Sequence, residues 1–131
     1  MKRLSGFTLL ELIVVLSIVG LLMSLVGPAL FTTLDKVRVQ SEVRKLEGVI
    51  FKLSNQAFLY GREIDVVLEG QHCQFFFQGE EKKQSLLQFE HIHFPRQTFS
   101  VNSHGFLSVS EVNYSVDDVL WAMDLNKVLS K

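Results

Sequence analysis

Residues Leu12 to Leu34 run for twenty-three positions without a charge. At about 1.5 Å per residue a helix of that length crosses the roughly 30 Å hydrocarbon core of a bilayer. This segment constrains the chain more than any other, and it predicts a membrane-spanning helix. Immediately before it stands Glu11, the single charge between Gly6 and Leu34. A carboxylate carried into the apolar phase costs roughly 2.5 to 3.5 kcal/mol at a helix centre, so it calls for a partner or a purpose. A cleaved secretory signal is the competing reading, because Lys2 and Arg3 make a basic start and "GPA" at Gly27 to Ala29 ends in a small residue. Against it, the apolar run exceeds the usual core of such a signal, about 7 to 15 residues, and Glu11 falls where that core should begin. Lys2 and Arg3 on one side are matched by Lys36 and Arg38 on the other, so charge alone leaves the orientation of the span open.

The remaining chain is short. With 131 residues there is room for one modest domain beside the anchor and not for two independent cores. The net charge of −1 hides an uneven distribution: from Gly61 onward six Lys and Arg face ten Asp and Glu, a balance of −4. The one cysteine, Cys73, excludes an internal disulfide, and its place in "HCQFFF" predicts a buried thiol.

The order at the N-terminus is a short basic leader, Gly6, Phe7, "TLLE" ending at Glu11, then the long apolar helix. It resembles the class III signal of the type IV pilin and type II secretion pseudopilin superfamily. The resemblance implies that a prepilin peptidase cuts after Gly6 on the cytoplasmic face of the inner membrane and methylates the new N-terminal Phe7. Glu11 then becomes the fifth residue of the mature chain, and Pro28 matches a proline that such anchors carry near their end, where it kinks the helix. It implies a purpose for Glu11 as well. Cleavage creates a positively charged amine on Phe7, and in this superfamily the glutamate meets the amine of an adjacent subunit as the helices assemble. In a low-dielectric setting a wrongly staggered neighbour leaves a buried charge alone.

Beyond Leu34, Val39, Val43, Leu46, Ile50, Leu53, Ala57 and Tyr60 recur at steps of three and four, with Lys36, Arg38, Arg44, Lys45, Glu47 and Lys52 mostly off that stripe. This predicts an amphipathic stem continuing the same helix, stopped at Gly61, whose stripe packs on a head domain. "IDVVL" from Ile64, Gly70 and "HCQFFFQ" from His72 predict a hairpin, with "GEEKKQ" as a charged loop after it. Further strands are expected at "LLQF" near Leu86, "HIHF" near Ile92, "TFSV" near Phe99 and "FLSV" near Phe106, with "NSHG" at Asn102 to Gly105 as a turn. "DDVLWAMDL" is open between helix and strand. The expected fold is α+β, a long N-terminal helix of anchor plus stem packed on a small antiparallel sheet. Residues 1–6 form the leader, 7–34 the anchor and 35–131 a periplasmic head that includes the stem. The head also resembles that of the H-type minor pseudopilins.

No catalytic motif is present: neither G-x-S-x-G, H-E-x-x-H, a P-loop nor a dinucleotide fingerprint. His91 and His93 share a strand face and His72 adjoins Cys73, yet no third and fourth ligand accompanies them. Asp117, Asp118 and Asp124 lack the loop spacing of a hard-cation site. No cofactor and no catalytic or metal site is expected, and the eleven phenylalanines are assigned to packing. Two function classes follow. One is a structural minor pseudopilin of a type II secretion system, with the prepilin peptidase, other pseudopilins and the inner-membrane assembly platform as partners. The other is a minor type IV pilin acting in pilus assembly or DNA uptake. Nucleic acid is not favoured, because phosphate capture needs clustered Lys and Arg and the distal half is acidic.

Overall fold

The computed structural model describes residues 6–79 and 85–130. The chain divides into two compact units, Met1–Val37 and Arg38–Lys131. One helix, α1 (Leu9–Tyr60), enters both, as the two sequence patterns require: an all-apolar stretch and then an amphipathic one. It is followed by β1 (Ile64–Gly70), β2 (His72–Phe77), β3 (Ser85–Gln88), β4 (Phe94–Val101), β5 (Glu111–Val116), β6 (Val119–Asp124) and a short α2 (Leu125–Leu129). This is the α+β arrangement expected, with antiparallel sheets after a long apolar helix.

In the first unit, α1 exposes its apolar side chains all round, and none in its most apolar window is buried. Its hydroxyls are satisfied within the helix: Ser17 donates to the Ile13 carbonyl at 2.8 Å and Ser24 to the Leu21 carbonyl at 2.7 Å. A span in lipid needs such internal partners, since no water is there to supply them. Pro28 lies inside α1, which continues on both sides of it.

In the second unit the stem stripe is the floor of the core. Leu46, Ile50, Leu53 and Ala57 are buried and Val39 and Val43 pack partly against them. Tyr60 is exposed but meets the Phe77 ring edge-on at 6.0 Å. The helix stops where expected, with Gly61 at φ +61°, a left-handed conformation that glycine adopts without strain. β1 alternates cleanly, Ile64, Val66 and Leu68 inward and Asp65 and Glu69 outward, and pairs antiparallel with β2 and β4 in a sheet ordered β3-β2-β1-β4. Against β4 the register slips between Leu68 and Gly70. That bulge lets Phe94 and Phe99, an odd number of residues apart, both face the core. β5 and β6 form a separate two-stranded sheet.

Three polar contacts fix the stem on the head. The Glu42 carboxylate accepts the backbone N–H groups of Glu90, His91 and Ile92 at 2.7, 2.9 and 3.1 Å. One turn on, the Lys45 ammonium donates to the Gln88 carbonyl at 3.2 Å and lies 5.2 Å from the Phe89 ring centre. Ser54 donates to the Gly105 carbonyl at 2.6 Å, and a Cβ on Gly105, at φ +83°, would stand 3.0 Å from the Ser54 carbonyl oxygen, so the position favours glycine.

These contacts correct two expected strands. "HIHF" is not a strand of its own: Glu42 takes the donors that a ladder would use, Phe89 and Ile92 turn into the core, and only His93 bridges to Ser115. β4 instead begins at Phe94 and absorbs "TFSV". "FLSV" is reduced to a single bridge, Val101 to Leu107, because the Asn102 side chain takes the His104 and Phe106 N–H groups and folds the chain tightly. "DDVLWAMDL" resolves into a turn, β6 and the start of α2, and β5 is an element that the pattern reading did not identify. Beyond Gly79 the charged loop lies outside the described residues.

Cys73 is 1 % exposed, and burial pushes its thiol up to about 11, so a thiol reagent should label it slowly until the head opens. Glu42→Ala strands three donors in one step. Its expected cost is about 2 kcal/mol, which appears as a roughly 30-fold faster labelling of Cys73 in the detergent-solubilised full chain. An unchanged labelling rate would mean that water replaces the carboxylate without loss.

Candidate functional site

The N-terminus of α1 is where the sequence places its chemistry. Gly6, Phe7 and Thr8 precede the helix in non-helical backbone, and all three are exposed. Nothing lies within 4 Å of a Cβ built on Gly6. The fold therefore places no demand for glycine at this position. Phe7 is 76 % exposed and has no core to enter.

The helix begins with a cap. The Thr8 hydroxyl accepts the Glu11 N–H at 3.3 Å, and the Thr8 carbonyl takes the Leu12 N–H at 3.2 Å. Thr8 is thus the cap residue and Glu11 the third residue of the first turn, the spacing of a capping box. The spacing of "TLLE" is itself a sequence signal for such a cap. Phe7 consequently stands one residue outside the cap, in non-helical backbone. The Glu11 carboxylate also sits at the positive end of the helix dipole, which favours a negative charge there.

The other residues singled out by the sequence do not converge. Asp117 and Asp118 form the tight turn between β5 and β6, with φ of +48° and +63°, and Asp124 lies at the opposite end of that hairpin. There its carboxylate caps α2, accepting from the Asn126 and Lys127 N–H groups at 2.9 and 3.4 Å. Cys73 is buried in β2, while His93 is exposed at its bridge to Ser115. Among the described residues no group of three or more His, Cys, Asp or Glu is placed to hold a metal ion. A surface cavity of about 350 Å³ borders the stem at Val43 and Glu47 and α2 at Lys127. In it burial first, and the Glu47 charge second, push the Tyr114 phenol above its ordinary pKa.

Residues 1–27 match the family model described as the prokaryotic N-terminal methylation motif. No curated protein and no solved structure matches the chain. The motif, the long apolar helix and the antiparallel head together are those of a pilin- or pseudopilin-like protein, and the signal with its apolar helix suggests a membrane anchor. The motif implies processing by a prepilin peptidase.

The cap gives a local prediction. Thr8→Ala should weaken the first turn by about 1 kcal/mol and raise amide exchange at Glu11 and Leu12, while Thr8→Ser should leave both near the parent values. Equal exchange in Thr8→Ala and the parent would mean that the hydroxyl does not hold the turn.

Proposed function

We propose that this chain is a minor pseudopilin, a structural subunit of the inner-membrane-rooted pseudopilus of a type II protein secretion system. The supporting observation is the conjunction at the N-terminus: an exposed glycine that the fold does not need, followed by a capped helix whose first-turn carboxylate precedes a fully apolar span. In this reading residues 1–6 are the leader, 7–34 the anchor and 35–131 the periplasmic head. Gly6 precedes the cut, Phe7 is the methylated N-terminus, and Pro28 bends the anchor. Glu11 pairs with the Phe7 amine of a neighbouring subunit. Its partners are the other pseudopilins and the assembly platform. A minor type IV pilin acting in pilus assembly or DNA uptake is the alternative, and the −4 balance beyond Gly61 weighs against its DNA-capturing form.

Intact mass of the membrane-extracted protein tests the processing: loss of residues 1–6 with one added methyl is expected, and an uncut chain or one starting after Ala29 refutes it. Because the fold does not use Gly6, a bulky residue there should abolish cleavage and leave insertion unchanged.

The role of Glu11 has its own test. Glu11→Gln keeps a capping-box side chain and removes the charge, whereas Glu11→Ala removes both. Both should insert and be cleaved, and both should lose crosslinking to other filament subunits, the neighbour's amine being buried alone at a cost of about 3 to 5 kcal/mol. Glu11→Asp should fall between. If Glu11→Gln assembles like the parent and Glu11→Ala does not, the residue serves the cap and not the register.

A further inference from the structure

The edge strands of the head are closed in part by side chains and loops. Along β4, Ser100 accepts from Ser108 through its carbonyl and donates to the Ser108 hydroxyl, both at 2.8 Å. β3 is four residues long and its Gln88 carbonyl is held by Lys45. The outer edge of β5 is closed twice: Ser115 exchanges both backbone bonds with His93, and the Gln97 side-chain amide takes the Asn113 N–H and carbonyl.

β6 is different. Val116 opposes Val119 across the two-residue turn, and Leu125 donates to the Ser110 carbonyl at 2.8 Å, which fixes the phase of the ladder. Val119, Trp121 and Met123 bond inward to β5, so Leu120, Ala122 and Asp124 direct their N–H and carbonyl groups outward. No hydrogen bond reaches the outward backbone of Leu120 or Ala122 from any described residue. Between Asp118 and Asp124 the edge lacks the charges and prolines that protect natural edges: Val119, Leu120 and Trp121 are consecutive and 54 %, 65 % and 54 % exposed.

We infer that β6 is a docking edge for an extended segment of another polypeptide, adding antiparallel to Val119–Asp124, apolar opposite Val119, Leu120 and Trp121, and carrying Lys or Arg opposite Asp118 and Asp124. The charges select the occupant. A second copy of β6, in the register that pairs Leu120 with Ala122, sets Asp118 against Asp124 twice by symmetry, and like charges directly opposed repel. A basic-ended strand meets a carboxylate at each end instead. Main-chain bonds then supply affinity, and the apolar and basic side chains supply choice. The inference rests on the backbone of the head and stands independently of the filament reading.

Trp121 is the only tryptophan in the chain and lies on the edge itself, so its emission reports occupancy without a label. The full chain in non-ionic detergent is titrated with the blocked peptide Lys-Thr-Thr-Val-Val-Val-Lys and with its Glu-ended counterpart. A saturable shift with the first, about 5- to 10-fold weaker with the second, is expected, and Asp117→Asn combined with Asp118→Asn should narrow the gap. Asn tolerates the left-handed backbone of that turn. Ala122→Pro removes an outward N–H at an edge position where proline is tolerated, and should weaken binding at least about tenfold while Cys73 stays protected. A peptide N-methylated at its third and fifth amides should lose the same affinity on the parent chain, so the test stands even where the proline variant unfolds. Equal binding of the Lys-ended and Glu-ended peptides, or full binding by the N-methylated peptide, would overturn the inference. So would self-association of the chain that Ala122→Pro abolishes, which would make a second copy the occupant.

Discussion

Every backbone N–H and carbonyl removed from water must find a partner, and the solutions to that demand organise this chain. In the apolar span the helix supplies them itself, and even Ser17 and Ser24 bond back to its carbonyls. At the start of α1 the orphan donors of the first turn are met by Thr8. In the head, three donors between β3 and β4 are met by a carboxylate from the stem, so the segment that would otherwise have become a strand is held as a loop. Side chains thus decide where strands stop, and the tertiary structure follows from those decisions as much as from apolar packing.

Besides Glu42 and Lys45 in the stem, several charges stand at element ends. Glu11 lies in the first turn of α1, Asp124 caps α2, and Asp117 with Asp118 turns the β5–β6 hairpin. Among the described residues no charged side chain is buried in the core. The core itself is aliphatic and aromatic, with Phe89 and Phe94 meeting edge to face at 5.3 Å between the stem and the sheets. The phenylalanines expected to pack do so only in part, since Phe58 and Phe106 remain largely exposed.

What the sequence reveals follows from how local each cause is. The span, the stem stripe and the Gly61 stop are written in spacing, and they emerge as α1 (Leu9–Tyr60). The β1–β2 hairpin is written in alternation and Gly70. β5 is not, because Asn113 and Ser115 are polar and half-buried, and their backbone is completed by Gln97 and His93 from far along the chain. Glu42 likewise reads as one more charge on the solvated face of a helix, and its task depends on a segment about fifty residues away. The signal site is the reverse case. Nothing lies within 4 Å of a Cβ on Gly6 and Phe7 is 76 % exposed, so packing accounts for neither and only the residue pattern marks them.

The outermost of the three polar contacts between stem and head, Glu42 and Ser54, stand twelve residues apart on one helix. That interval, about 18 Å of rise, has a fixed length and a fixed phase. One residue inserted between them would turn either point about 100° around the helix axis and away from its mate, and no sliding of the helix could recover both. Evolution can therefore lengthen or shorten α1 on the N-terminal side of Val39 without disturbing the head, while residues 42–54 behave as a gauge block whose length the rest of the head has been cut to fit.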